Sequence, residues 1–187
     1  VLGSIEEQGK LTPELKKQIL AADTLVAVDD LYRPYRPKRR TRATIAKEKG
    51  LEPLANLLSL QQLDHSAEEE AEAYISEEKG VASAEEALQG AMDIVAEAIA
   101  DEADYRTYIR EKTMKKGTLT STAKDEKAES VYEMYYNFEE PVAKLAGHRI
   151  LALNRGEKEK ILTVKLEAPE EEIIRYLEKK TIRRENP

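Results

Sequence analysis

Between Arg33 and Lys47 the chain places seven cations (Arg33, Arg36, Lys38, Arg39, Arg40, Arg42 and Lys47) and no carboxylate, although its formal net charge is −7. The chemistry open to such a run is anion recognition. Arginine offers a planar fork of N–H donors suited to phosphate oxygens, and lysine a compact point charge. Pro34 and Pro37 stiffen the segment and reduce the entropy lost when it is held on a ligand. Six phosphate contacts would make log K fall with log salt at a slope of about −4 to −5. Tyr32 and Tyr35 interleave with the arginines as candidate base-stacking platforms for an unpaired strand. A second use of the same cations is internal. The rest of the chain sums to −14, and Asp29 and Asp30 stand next door, so the cations can equally pin helices together.

Other residues offer less chemistry. Asp29-Asp30, Glu139-Glu140 and the Glu68 to Glu72 run are paired carboxylates, but adjacent residues on a helix diverge by about 100°, and none has a histidine or glycine-rich loop beside it. His65 falls in an expected loop and His148 before an apolar run, positions that suit hydrogen-bonded structural residues. No Ser-His-Asp order, phosphate loop or dinucleotide fingerprint is present, so the expectation is a protein that is not an enzyme and uses no cofactor or metal. Tyr132, Tyr135, Tyr136 and Phe138 resemble a stacking platform but fit a core stripe better. Arg149, Asn154 and Arg155 bracket an apolar segment and are candidate interdomain residues.

These residues must be positioned by helices. Thr12-Pro13-Glu14 reads as a cap, a first-turn proline and an acid, which predicts a helix over about 13 to 31 with Leu15, Ile19, Ala22 and Val26 on one stripe. Pro34 and Pro37 should then drive Arg33 and Arg36 out of the α region. Thr41 or Thr44 can cap a short helix ending at Gly50, and Pro53 opens another over Glu52 to Leu60. Ser66 and Ser83 each begin a capping-box pattern, the second leading into a long helix. Glu102 to Lys116 should be helical and Gly117 its end. Further helices are predicted over Glu126 to Tyr136, Glu139 to Ala146 and Glu170 to Lys180, with a turn at Asn154 to Glu157. Thr118 to Thr122 and the alternating Ile161 to Glu167 read as strands.

The expected fold class is therefore all-α and multihelical, with a minor short-strand element. Two regions are expected: 1–117, a helical region carrying the basic loop 33–47, and 118–187, a mixed helical region, with the seam near Gly117. An aromatic share of only 5% leaves Leu, Ile, Val and Ala to build the core, which suits helix-on-helix packing. The absence of cysteine removes disulfides and thiolate chemistry and fits a cytoplasmic protein, and no apolar run is long enough to span a bilayer. From Glu68 to Asp104 thirteen acids face the single Lys79, a surface that repels nucleic acid and suits protein docking. With no initiator Met, the chain is expected to be an excised fragment.

Three strings carry more than composition: SIEEQGKLTPEL (Ser4 to Leu15), DDLYRPYRPKRRTRATIAKEKGLEPLANLL (Asp29 to Leu58) and EPVAKLAGHRILALNRGEKE (Glu140 to Glu159). KGVASAEEALQGAMDIVAEAIAD (Lys79 to Asp101) joins them. The chain resembles the bacterial Tex family of transcription accessory proteins. That resemblance implies a cytoplasmic nucleic-acid-binding factor, related in architecture to a eukaryotic elongation factor. In such proteins a helical region with helix-turn-helix character precedes an RNase-H-like domain, helix-hairpin-helix elements and an OB-fold module that supplies most RNA affinity. Only the N-terminal helical region is matched here, leading toward a missing RNase-H-like domain.

Two functions follow as expectations. In the first, the chain is a helical scaffold whose basic loop adds a nucleic-acid contact, with RNA placed before DNA as partner. In the second, it is a protein-interaction module that docks RNA polymerase, other transcription-complex proteins or further domains of the same chain, with no nucleic-acid contact of its own. No membrane role is expected.

Overall fold

The computed structural model describes residues 1–185. The chain divides into two compact units, residues 1–107 with the segment from Lys179 onward, and residues 108–178.

The first unit is built from short helices and one long one: α1 (Leu2–Glu7), α2 (Pro13–Ala21), α3 (Leu25–Tyr32), α4 (Arg42–Glu48), α5 (Glu52–Leu60), α6 (Ala67–Glu72), α7 (Ala84–Asp101) and the start of α8 (Ala103–Lys116). Thr12, Thr24, Thr41, Ser66 and Ser83 each accept a hydrogen bond from a backbone N–H in the first turn that follows, which satisfies donors the helix cannot. At Thr41 the bonding is reciprocal through Thr44, and Gly50 follows α4 at φ 77°, a conformation glycine adopts without strain. Ile5, Leu15 and Ile19 form one small core with Tyr32 and Tyr35 against it. Leu51, Leu54, Val81, Ala87, Ala91 and Ile94 centre a larger one between α4, α5, α6 and α7.

Two local expectations are corrected here. The single helix over 13 to 31 is two helices, because the backbone turns extended at Ala22 and Thr24, and Thr24 accepts from the Ala27 N–H at 3.1 Å. Arg33 stays in the α region (φ −52°, ψ −42°), since Pro34 sits in the first turn of a 3₁₀ helix, Arg33–Tyr35, where a proline costs no hydrogen bond. Arg36 is extended at ψ 131°, as expected.

The second unit holds most of α8, three strands, α9 (Gly147–Lys158) and most of α10 (Glu170–Thr181). The strands β1 (Thr118–Ala123), β2 (Asn137–Pro141) and β3 (Leu162–Glu167) form an antiparallel sheet in the order β2-β1-β3, with Ser121 opposite both Phe138 and Val164. Tyr132, Tyr135, Leu153 and Leu162 make its core, and Phe138 packs edge-on to Tyr135. The aromatic group is thus a core, as its spacing suggested, but not on an α-helix.

Three expectations fail in this unit. Glu126 to Tyr136 is turns and a 3₁₀ helix, and Glu139 to Ala146 is the end of β2 followed by another 3₁₀ helix. Pairing with β1 overrides the helical propensity of Glu139 to Pro141. Asn154 to Glu157 is not a turn but part of α9; Gly156 is there because Leu162 packs on it, and a Cβ would stand 2.5 Å from Leu162 Cδ1. The fold class stands as predominantly helical with a minor strand element. Among the described residues, no helix is long and apolar enough to cross a membrane.

Candidate nucleic-acid interface

The basic segment runs antiparallel to α7 and is buttoned to it by charge. Arg33 Nε lies 3.0 Å from Asp101 Oδ1, and Lys38 pairs with the other oxygen of Asp101 and, at 3.3 Å, with Glu97. Arg42 reaches Asp93 at 3.2 Å and Lys49 reaches Glu86 at 2.9 Å. Moving forward along the cations means moving backward along α7, through Asp101, Glu97, Asp93 and Glu86. Spacings of four, four and seven keep these acids on one helical face.

The other cations pair locally. Arg36 meets Asp29 and lies 5.4 Å over the Tyr32 ring, Arg40 meets Glu48 at 2.8 Å, and Lys47 meets Glu52 at 3.7 Å. Arg39 is exposed and has no ion pair among the described residues. Six of the seven cations therefore have carboxylate partners, but their exposure differs widely. Asp101 is only 7% exposed, so Arg33 and Lys38 are spent on a desolvated acid. Arg40 and Arg42 remain 68% and 82% exposed, with most of their guanidinium surface open to water. Arg36 and Lys47 are also exposed, at 47% and 45%, and Arg39, Arg40 and Arg42 form the open stretch between them.

Asp30 is buried and accepts from Arg106 Nε at 2.9 Å, which ties α3 to the start of α8. The two adjacent acids Asp29 and Asp30 thus serve different cations. Tyr32 and Tyr35 lie against the small core, and the Tyr32 hydroxyl is 3.0 Å from Ser4 Oγ, so their rings are committed to packing. In the second unit Arg149 donates to Glu140 at 2.8 Å and lies over the Phe138 ring, whereas Asn154 and Arg155 are exposed on α9.

Charged partners shift several groups. A hydrogen bond from the Ala82 N–H, then Lys49, holds the Glu86 carboxyl below the usual carboxylate range. His65 sits between Asp64 Oδ1 at 2.9 Å and Glu70 Oε2 at 2.8 Å, and these bonds raise its pKa, that to Asp64 most. Among the described residues no cluster of His, Asp and Glu is arranged to hold a metal.

The sequence points to internal carboxylates as partners and names Asp29, which meets Arg36, but not the acids of α7. Asp93, Glu97 and Asp101 recur every four residues, and that period is the signal for them.

A family model described as Tex central region-like matches residues 62–185. The chain belongs to the Tex family. The matched part includes α7 with its acids, while the basic segment precedes it. The Tex-like chain is 53% identical over 187 residues to protein YdcI of Bacillus subtilis, covering 98% of this chain and 26% of that one. It is 40% identical over 168 residues to the transcriptional accessory protein Tex of Neisseria gonorrhoeae (89% and 22%). Against the human S1 RNA-binding domain-containing protein 1 it is 29% identical over 172 residues (87% and 17%). The Tex chain spans about a quarter or less of the length of these relatives.

Proposed function

We propose that this chain is the helical scaffold of a cytoplasmic Tex-like transcription accessory factor that binds RNA in preference to DNA, and that its basic segment does two jobs. Arg33 and Lys38 clamp α7. Arg39, Arg40 and Arg42 supply an accessory phosphate contact. The observation that carries this division is the exposure gradient along one segment, from cations seated on buried Asp101 to arginines that are mostly in water. The names of relatives support the wider setting, one being a transcriptional accessory protein and another an S1 RNA-binding domain-containing protein. The role is one of binding rather than catalysis.

Reversing Arg39, Arg40 and Arg42 to Glu in the full-length factor should lower RNA affinity and flatten the salt slope by about 2, the single-strand value for three contacts. An unchanged slope with the fold intact would sink the phosphate contact. A second proposal, docking of RNA polymerase or another transcription protein, draws on acids of α6 and α7 that have no ion pair among the described residues, such as Glu68, Glu69 and Glu85. Capture of purified polymerase by the wild-type factor, lost on neutralising those acids, would favour it.

A further inference from the structure

Where the charged seam between the basic segment and α7 reaches α4, the two helices do not close completely. They leave a cleft of about 200 Å³, below the usual range for drug-sized ligands and suited to one small planar group. Its apolar lining is half-buried Ile45 and Gly90, above the buried Ala46 and Leu51. Its polar lining is Arg42, Lys49, Gln89, Glu86 and Asp93, with Lys49 held by Glu86 at 2.9 Å. Asp93 holds Arg42 through one short ion pair, which orients the side chain while leaving it largely exposed. Gln89 donates weakly to the same carboxylate at 3.4 Å, and its carbonyl oxygen has no partner among the described residues.

We propose that this cleft is a single-nucleotide pocket: a base rests on the apolar floor with its polar edge at the Gln89 amide, and its phosphate lies on Arg42. The assignment rests on the phosphate-contact role of the neighbouring arginines and gives it a base-binding partner. Three properties converge. An apolar floor gains from covering a base face, a carboxamide can both donate to and accept from a base edge, and arginine reads phosphate through the donors Asp93 leaves free. Tyr32 and Tyr35, the aromatic candidates in the sequence, are half-buried against the small core. The cleft offers a base a place that they do not.

The test uses the full-length protein with a dodecamer of 4-thiouridine, its abasic counterpart and free UMP. Photocrosslinking followed by peptide mapping should place the base on peptides carrying Ile45 or Gln89. Gln89→Trp fills the cleft from an exposed position, so the protein should melt as the wild type does. It should abolish that crosslink and weaken dodecamer binding about tenfold while leaving the abasic strand unaffected. Competition by free UMP would show that the pocket takes a nucleotide from solution as well as from a strand; absence of competition confines it to strands. Crosslinks only elsewhere, or equal loss for the dodecamer and abasic strand, overturn the pocket. If Arg39→Glu with Arg40→Glu weakens binding but Gln89→Trp does not, the pocket fails and the phosphate contact stands. If neither matters, both fail.

Discussion

Gly90 of α7 and Leu51 at the start of α5 meet with no room for a methyl group between them. A Cβ on Gly90 would stand 2.4 Å from Leu51 Cδ1 and 3.3 Å from Ala46 Cβ. Leu51 is buried at the centre of the larger core, so it has little freedom to retreat. Gly90→Ala should destabilise the protein by about 1–2 kcal/mol, since overpacking outweighs the helix-propensity gain. Adding Leu51→Ala should cost less in that background than alone, and a double-mutant cycle by urea unfolding measures the difference.

Asp101 and Asp93 should respond unequally to neutralisation. Asp101→Asn removes the charge that faces Arg33 and Lys38 at a buried position and should cost about 2 kcal/mol. That is less than for a fully buried pair, because Arg33 keeps contact with water. Asp93→Asn faces a mostly exposed arginine and should cost less than about 1 kcal/mol. Urea midpoints at constant m-value give both numbers.

Between α8 and α10, Glu172 accepts from Lys112 and Lys116, each at 2.7 Å, and Lys112 leads in lowering its pKa to about 2. A depressed carboxylate contributes stability above its unfolded value, near 4.5, and loses it as pH falls toward 2. Lys112, raised above 10.5 chiefly by Glu172, contributes below 10.5 and loses that contribution as pH rises through its folded value. Glu172→Gln should flatten the fall in melting temperature below pH 4.5, and carboxyl NMR should show Glu172 titrating near 2.

Ser121 is 1% exposed in the central strand and its hydroxyl has no hydrogen-bond partner among the described residues. Ser121→Ala relieves an unmet polar group without adding volume, and should raise stability by about 1 kcal/mol. A lower melting temperature for this variant would show that the hydroxyl is satisfied in solution.

Legibility followed locality. Thr41, Ser83 and Pro53 act within a turn of their own helix, and the elements they open lie where the sequence placed them. Asn137 to Pro141 could not be read in that way, because what makes it a strand is β1, nearly twenty residues earlier, and Pro141 is tolerated at the end of an edge strand. Gly156 misled for a related reason: its absent side chain serves Leu162 rather than a turn. At the candidate interface the cations were visible as a run, while their state depended on α7, whose acids lie up to 68 residues away.

The seam of charges on α7 has a consequence for alignment. Acids recurring every four residues look alike to a lysine or arginine, so a slip of the basic segment by one helical turn would still leave two of the four cations that reach α7 facing an acid. Ion pairs alone would leave the two elements free to ratchet past each other. The fit of Leu51 into the gap at Gly90 occurs at a single position, and there it acts as a detent that sets which arginine falls in which place.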